Sequence, residues 1–237
     1  MRLDNAAPLA ETPIVQQAEN LLEIRRLISG AADDAGREAD SIRLIAVSKT
    51  FGREAISPLL WAGHRDFGEN RVQEAVTKWG EVRMAQPDIR LHLIGPLQSN
   101  KAADAVALFD SIHTLDRDKI AAAVASEMAK QDRHLQLFVQ VNTGGESQKS
   151  GVSPIETGAF VDRCREVHGL VISGLMTIPT TSEPPGPHFS LLAKLGRESN
   201  AERLSMGMTG DFETAIGFGA TVVRIGRGIF GARSTVM

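Results

Sequence analysis

The chain contains no tyrosine, one cysteine and two tryptophans. Without tyrosine, any mechanism that needs a phenol as acid, base or phosphate ligand from this chain is excluded. The lone cysteine, Cys164, allows no intramolecular disulfide and no thiolate zinc cluster. It favours a reducing compartment, so a cytoplasmic protein is expected. No apolar run reaches the ~18 residues of a membrane span. The opening stretch MRLDNAAPLAETP lacks the apolar core of a secretory signal. The six histidines form no HExxH or i,i+4 pair, which leaves a metal site unsupported. Neither sign of charge dominates: 26 Lys and Arg stand against 29 Asp and Glu, a net charge of −3. That balance argues against a general nucleic-acid binder.

What is present is an ordinary globular balance, 42% hydrophobic and 23% charged over 237 residues. This length is near the ~250 residues typical of an α/β barrel. Residues 1–12 are expected to be a flexible N-terminus. A helix follows, with Ile14, Ala18, Leu21, Leu22 and Ile28 near the 3.6-residue period and Gly30 and Gly36 punctuating its end. After it, apolar runs alternate with helical segments. The runs are 42–47, 65–68, 91–94, 111–115, 135–141, 170–176, 203–206 and 221–225. The helical segments are 54–61, 71–79, 97–108, 117–131, 154–167, 191–198 and 211–216, with 183–187 read as a Pro/Gly loop. Strict alternation implies parallel strands joined by helical crossovers. About eight such units in one chain predict an α/β fold: a single (β/α)8 TIM barrel, 1–237, with an extra N-terminal helix. A doubly wound sheet is the alternative.

In a barrel the chemistry sits in the loops after the strands. After the first strand comes Ser48-Lys49-Thr50, and Lys49 is one of only seven lysines. A lysine at a barrel mouth is partly desolvated, which lowers its pKa and suits it to form a Schiff base. A lysine reaching out to solvent is the bland alternative. After the second strand, Asn70 either caps the next helix or presents its amide to the pocket. His92, inside the third strand, reads as a satisfied core histidine. The Gly- and Ser-rich loop 142–151 is expected to be mobile and carries a second amine, Lys149.

The loop Ser205-Met206-Gly207-Met208-Thr209-Gly210-Asp211 offers a hydroxyl and backbone N–H groups ahead of a short helix, or simply an N-cap at Asp211. Gly226 to Gly231 spells GxGxxG. A dinucleotide-binding reading fails, because only six residues follow Gly231 and no acidic ribose ligand can lie about 20 residues on. The glycines still let backbone approach a phosphate. Barrels often bind phosphate with the loops after strands seven and eight. A lysine after strand one and a phosphate cradle after strands seven and eight together suit a phosphorylated aldehyde. Pyridoxal phosphate is the obvious candidate.

Seven motifs carry a resemblance: AVSKT (46–50), FGENRVQE (67–74), HLIGPLQSNK (92–101), VNTGGESQKSG (141–151), GLMTI (174–178), LSMGMTGDFETAI (204–216) and VRIGRGIFG (223–231). On these the chain resembles the pyridoxal phosphate homeostasis protein family, in order and from end to end of the barrel. The resemblance implies a barrel like the N-terminal domain of alanine racemase and an internal aldimine at Lys49. It implies Asn70, Ser205 and Met206 near the cofactor and Arg224 facing the pyridine nitrogen. It places Thr209, with the backbone of Gly226 and Arg227, at the phosphate. Thr209 stands where the family commonly has serine, and the stretch 180–189 is not aligned well by the motifs.

Four functions compete. A homeostasis protein would hold and deliver or buffer the cofactor without turnover, with apo forms of pyridoxal phosphate enzymes as candidate recipients. An amino-acid racemase would need a second acid/base opposite Lys49, which in the racemase is a tyrosine from another domain. A class I aldolase would use Lys49 on a sugar phosphate. A scaffold would be indifferent to Lys49→Ala. The first is favoured, with Lys149 as a candidate for a transient imine during transfer. A monomer is expected.

Overall fold

A computed structural model describes residues 13–231. The expected flexible segment 1–12 lies outside the described residues. Helix α1 (Pro13–Asp34) precedes eight strands: β1 (Arg43–Val47), β2 (Asp66–Glu69), β3 (Arg90–Leu93), β4 (Ser111–Leu115), β5 (Gln136–Gln140), β6 (Ile172–Met176), β7 (Arg203–Ser205) and β8 (Val222–Ile225). They close in sequence order into one parallel barrel. Closure is made by β1 on β8, with Arg43 opposite Val222 and Ile45 opposite Arg224. The open doubly wound sheet is thereby excluded.

Between the strands run α2 (Arg53–Trp61), α3 (Val72–Ala85), α4 (Ala102–Leu108), α5 (Asp118–Gln131), α6 (Thr157–Glu166), α7 (Pro185–Glu198) and α8 (Phe212–Gly217), with α9 (Arg227–Phe230) after β8. Helix α1 packs on α2, α8 and α9, covering the seam where the barrel closes. Successive strand residues face opposite sides. Leu44, Ala46, Phe67, Leu91 and Val223 belong to the large apolar layer between strands and helices. The opposite set, Ile45, Phe138, Met176 and Val222, forms a separate small group that fills part of the barrel's interior. Buried polar side chains, Asp66, His92, His113, Ser205 and Arg224, share that interior.

Several boundaries differ from expectation. Gly30 does not end α1, which runs to Asp34; Gly36, at φ +64°, marks the exit. Segments 97–108 and 154–167 each begin as a single 3-10 turn, Ser99–Lys101 and Pro154–Glu156, before α4 and α6. The supposed loop 183–187 already belongs to α7 from Pro185, because proline at the first helical turn loses no hydrogen bond and presets φ. The glycine-rich stretch after β8 winds into α9.

Candidate functional site

Lys49 is half-buried in the turn after β1. The next residue, Thr50, holds φ at +68°, a left-handed conformation uncommon for a β-branched residue. The turn is anchored from below. Glu69 at the end of β2 is fully buried, and its Oε1 accepts from Ser48 Oγ at 2.7 Å, Lys78 Nζ at 2.7 Å and Trp79 Nε1 at 3.0 Å. Lys78 Nζ also donates to the Ser48 carbonyl at 2.7 Å. Two residues of α3 thus hold the backbone that carries Lys49.

Asn70 does not cap α3; Arg71 takes that position. The Asn70 amide oxygen is buried with no hydrogen-bond partner, an acceptor left for something else. Its backbone is pressed against Gly95: a Cβ there would stand 2.2 Å from the Asn70 carbonyl oxygen.

Arg224 and Ser205 are brought together inside the barrel. Arg224 Nη1 donates to Ser205 Oγ at 2.6 Å, and Nη2 donates to the Thr177 carbonyl at 2.8 Å. Arg224 is 4% exposed. Burial pushes its guanidinium down to about 10, opposed by the charge of Asp211, so it remains a cation at neutral pH. Ser205 Oγ also meets His113 Nδ1 at 2.8 Å; His113 Nε2 meets His92 Nδ1 at 3.3 Å; His92 Nε2 meets Asp66 Oδ1 at 3.0 Å. Burial lowers both histidine pKa values, that of His113 well below the ordinary range. Burial alone would raise the Asp66 carboxyl, but hydrogen bonds from His92 and Arg90 hold it well below the usual carboxylate range.

Beyond β7 and β8 the two expected loops meet: the Gly228 N–H donates to Thr209 Oγ1 at 3.3 Å. Gly226 is the residue before α9, and Arg227 its first residue. Asp211 closes the first of these loops by accepting from the Met208 N–H at 2.6 Å. Met206 departs from the simple picture. Its side chain is fully buried in the layer between strands and helices, and its N–H donates to the Val222 carbonyl at 3.1 Å.

The loop after β5 is stitched rather than loose. Asn142 Nδ2 donates to the Glu146 carbonyl at 2.8 Å and Gln140 Nε2 to the Ser150 carbonyl at 2.9 Å. Lys149 pairs with Glu146 at 2.5 Å and reaches the Pro179 carbonyl at 3.4 Å. Around 180–189, His188 joins the site's wall through Thr143, at 3.1 Å, and Thr143 meets Thr177 at 3.0 Å.

The sequence does not single out His113, Thr177 or Asp66. The only available signal for His113 was alternation along β4, which sets it opposite in facing to its neighbours Ile112 and Thr114.

A closed barrel with its candidate chemistry past the strand C-termini falls in the class of the alanine racemase N-terminal domain, and the family described by that name matches residues 20–234. An alanine racemase from Clostridium difficile shares the fold at a TM-score of 0.70 and 12% identity, over 94% of this chain and 58% of that one. Closer relatives narrow the class. The pyridoxal phosphate homeostasis protein of Vibrio cholerae is 40% identical over 226 residues, 91% of this chain and 95% of that protein. Its namesake in Escherichia coli is 37% identical over 225 residues, 91% and 96% of the two chains. PipY of Synechococcus elongatus, solved with PLP bound, matches at a TM-score of 0.76 and 33% identity, over 91% of this chain and all of that one. The chain belongs to the pyridoxal phosphate homeostasis protein family.

Proposed function

We propose that this protein binds pyridoxal phosphate reversibly and serves to buffer or deliver it. Pyridoxal phosphate presents an aldehyde, a ring nitrogen and a phosphate, and the residues above fit each in turn. The amine of Lys49 holds the aldehyde carbon as a Schiff base. Arg224 faces the ring nitrogen. Thr209, with the backbone N–H groups of Gly226 and Arg227, takes the phosphate. Asn70, Ser205 and the backbone of Met206 complete the wall, and the unpartnered Asn70 oxygen is an acceptor the bare protein leaves unused.

Arg224 is the observation that carries the reading. When bound, the cofactor supplies an electron sink only as far as its ring nitrogen is protonated. A buried cation beside that nitrogen disfavours protonation. The chain itself supplies no tyrosine for the opposite side. We therefore read binding without robust turnover, by one barrel acting as a monomer in the cytoplasm. Apo forms of pyridoxal phosphate enzymes are the candidate recipients, and Lys149 is a candidate second amine in transfer. Among the described residues no helix is long and apolar enough to cross a membrane.

The test is the visible spectrum of the purified protein before and after borohydride, with peptide mass mapping and a racemisation assay. A yellow band that bleaches, and a pyridoxyl adduct on Lys49 that is lost in Lys49→Ala, is the expected result. Racemisation well above free cofactor would replace this reading by the racemase. A colourless protein that stays unlabelled with added pyridoxal phosphate would overturn the cofactor reading.

A further inference from the structure

With Asp66 ionised and both histidines neutral, the direction in which burial shifts them, the polar chain inside the barrel has one consistent assignment of protons. An arginine can only donate, so Ser205 Oγ accepts from Arg224. An ionised carboxylate can only accept, so His92 carries its proton on Nε2, toward Asp66. A neutral His92 then has a bare Nδ1, and the His113 nitrogen facing it, Nε2, must be the protonated one. That leaves His113 Nδ1 bare, and the Ser205 hydroxyl donates to it. Every donor points the same way, from Arg224 through Ser205, His113 and His92 to Asp66. The two ends, a cation and a carboxylate, fix the direction.

We propose that His113 is a positioning residue for Arg224: by accepting from Ser205 it keeps that hydroxyl turned away from the guanidinium, and so fixes the cation that faces the ring nitrogen of pyridoxal phosphate. The proposal rests on the cofactor reading above. The geometry supplies the means. His113 is fully buried and stacked on Phe138, with ring centres 4.3 Å apart and planes 16° apart. A half-turn of the ring would keep that stack but would take Nδ1 from Ser205 and Nε2 from His92, so the two hydrogen bonds set which edge faces the serine. The charged and titratable groups that bear on it are Arg224, Arg43 and His92. Burial first, and then the charges of Arg224 and Arg43, oppose a positive charge on His113, so the ring stays neutral; Nδ1 is the open nitrogen because Nε2 carries the proton toward His92. Were Nδ1 protonated instead, it would point a donor at a hydroxyl already receiving one from Arg224. Ser205 would lose the acceptor for its own proton, and the polarity of the whole chain would be broken.

Two measurements test this. The first uses unloaded wild-type protein labelled with 15N-histidine. Long-range 1H–15N spectra at neutral pH are expected to show both His113 and His92 as neutral Nε2–H tautomers. A protonated Nδ1 on His113 would overturn the proposal, whatever the cofactor does. The second compares pyridoxal phosphate binding and the pH titration of the visible band in wild type, His113→Phe and His113→Asn. Phenylalanine keeps the stack and removes the acceptor; asparagine returns an acceptor close to the position of Nδ1. Phenylalanine is expected to weaken binding about tenfold and move the band's titration, since a buried hydroxyl is stranded; asparagine is expected to restore most of both. Equal affinity and an unmoved titration in a folded His113→Phe protein would refute the positioning role and leave the cofactor reading intact. If wild type does not bind pyridoxal phosphate, the cofactor reading and the role of Arg224 fall together, while the tautomers still decide the chain's polarity. Should His113→Phe fail to fold, the wild-type spectra remain decisive.

Discussion

Lowering the pH from 7 to 5 should cost this barrel at least about 2 kcal/mol of stability, and the reason is histidine. His64 is 4% exposed, with Nε2 against the Asp66 carbonyl at 2.8 Å and Nδ1 beside Arg25 Nη2 at 3.4 Å. Burial pushes it from an ordinary 6.5 down to about 4. A depressed histidine pKa means that the unfolded chain binds the extra proton first, so stability falls as pH drops through 6.5 and keeps falling to about 4. At ~1.36 kcal/mol per pH unit the full loss is about 3 kcal/mol, and about 2 kcal/mol of it has gone by pH 5. His92 and His113 are shifted in the same direction, also by burial, and steepen the slope. Asp66 does not enter this window. Its carboxyl is held low, so its contribution is intact above an ordinary 3.8 and disappears only below it. Urea denaturation at half-unit steps from pH 7 to 5 measures the effect. The midpoint should move down at nearly constant slope, and His64→Asn should flatten the curve. A free energy constant within about 0.5 kcal/mol over that range would refute the argument that these imidazoles are buried neutral.

Three other perturbations probe other parts of the barrel. Lys78→Met strips the cation from the fully buried Glu69 and should lower unfolding free energy by about 3–5 kcal/mol in a urea titration; a loss under about 1 kcal/mol would show that this pair does not anchor the turn. Gly95→Ala forces a methyl into the Asn70 carbonyl and should weaken pyridoxal phosphate binding along with lowering Tm; unchanged values of both would show that the β3 loop yields freely. Burial lifts the Cys164 thiol to about 11, so native protein at pH 8 should resist iodoacetamide and react only after urea is added, as mass spectrometry would record.

Much of this molecule is legible in the sequence, for identifiable reasons. Parallel strands buried on both faces read as apolar runs, and LQLFVQV at 135–141 is the plainest, although its ladder is confined to 136–140. Lys49 and the glycines at 226–231 stand out because their residue types are unusual where they occur. The start of α7 was hidden, since prolines at 184, 185 and 187 look like a loop until the helix geometry makes Pro185 its first turn. The interior polar chain was hidden more deeply. His113 and Ser205 are 92 residues apart and His92 and Asp66 are 26 apart. No local pattern reports a bond of that kind, and a histidine inside a strand looks the same whether or not it leads anywhere.

Where that chain leads has a consequence for how the molecule tolerates change. In most barrels the two ends divide the labour, chemistry at one and structural upkeep at the other. Here Asp66, Arg90 and Arg43 are the first residues of β2, β3 and β1, and Arg43, Arg90 and His92 border a cavity of about 270 Å³ at the upkeep end. Arg90 grips Asp66 at 2.5 Å in that wall. The floor of this barrel is therefore not insulated from its mouth. Homologues that differ only underneath can differ in how they hold their cargo, and a designer seeking to retune the mouth has a handle on the far side, out of the way of anything that docks above.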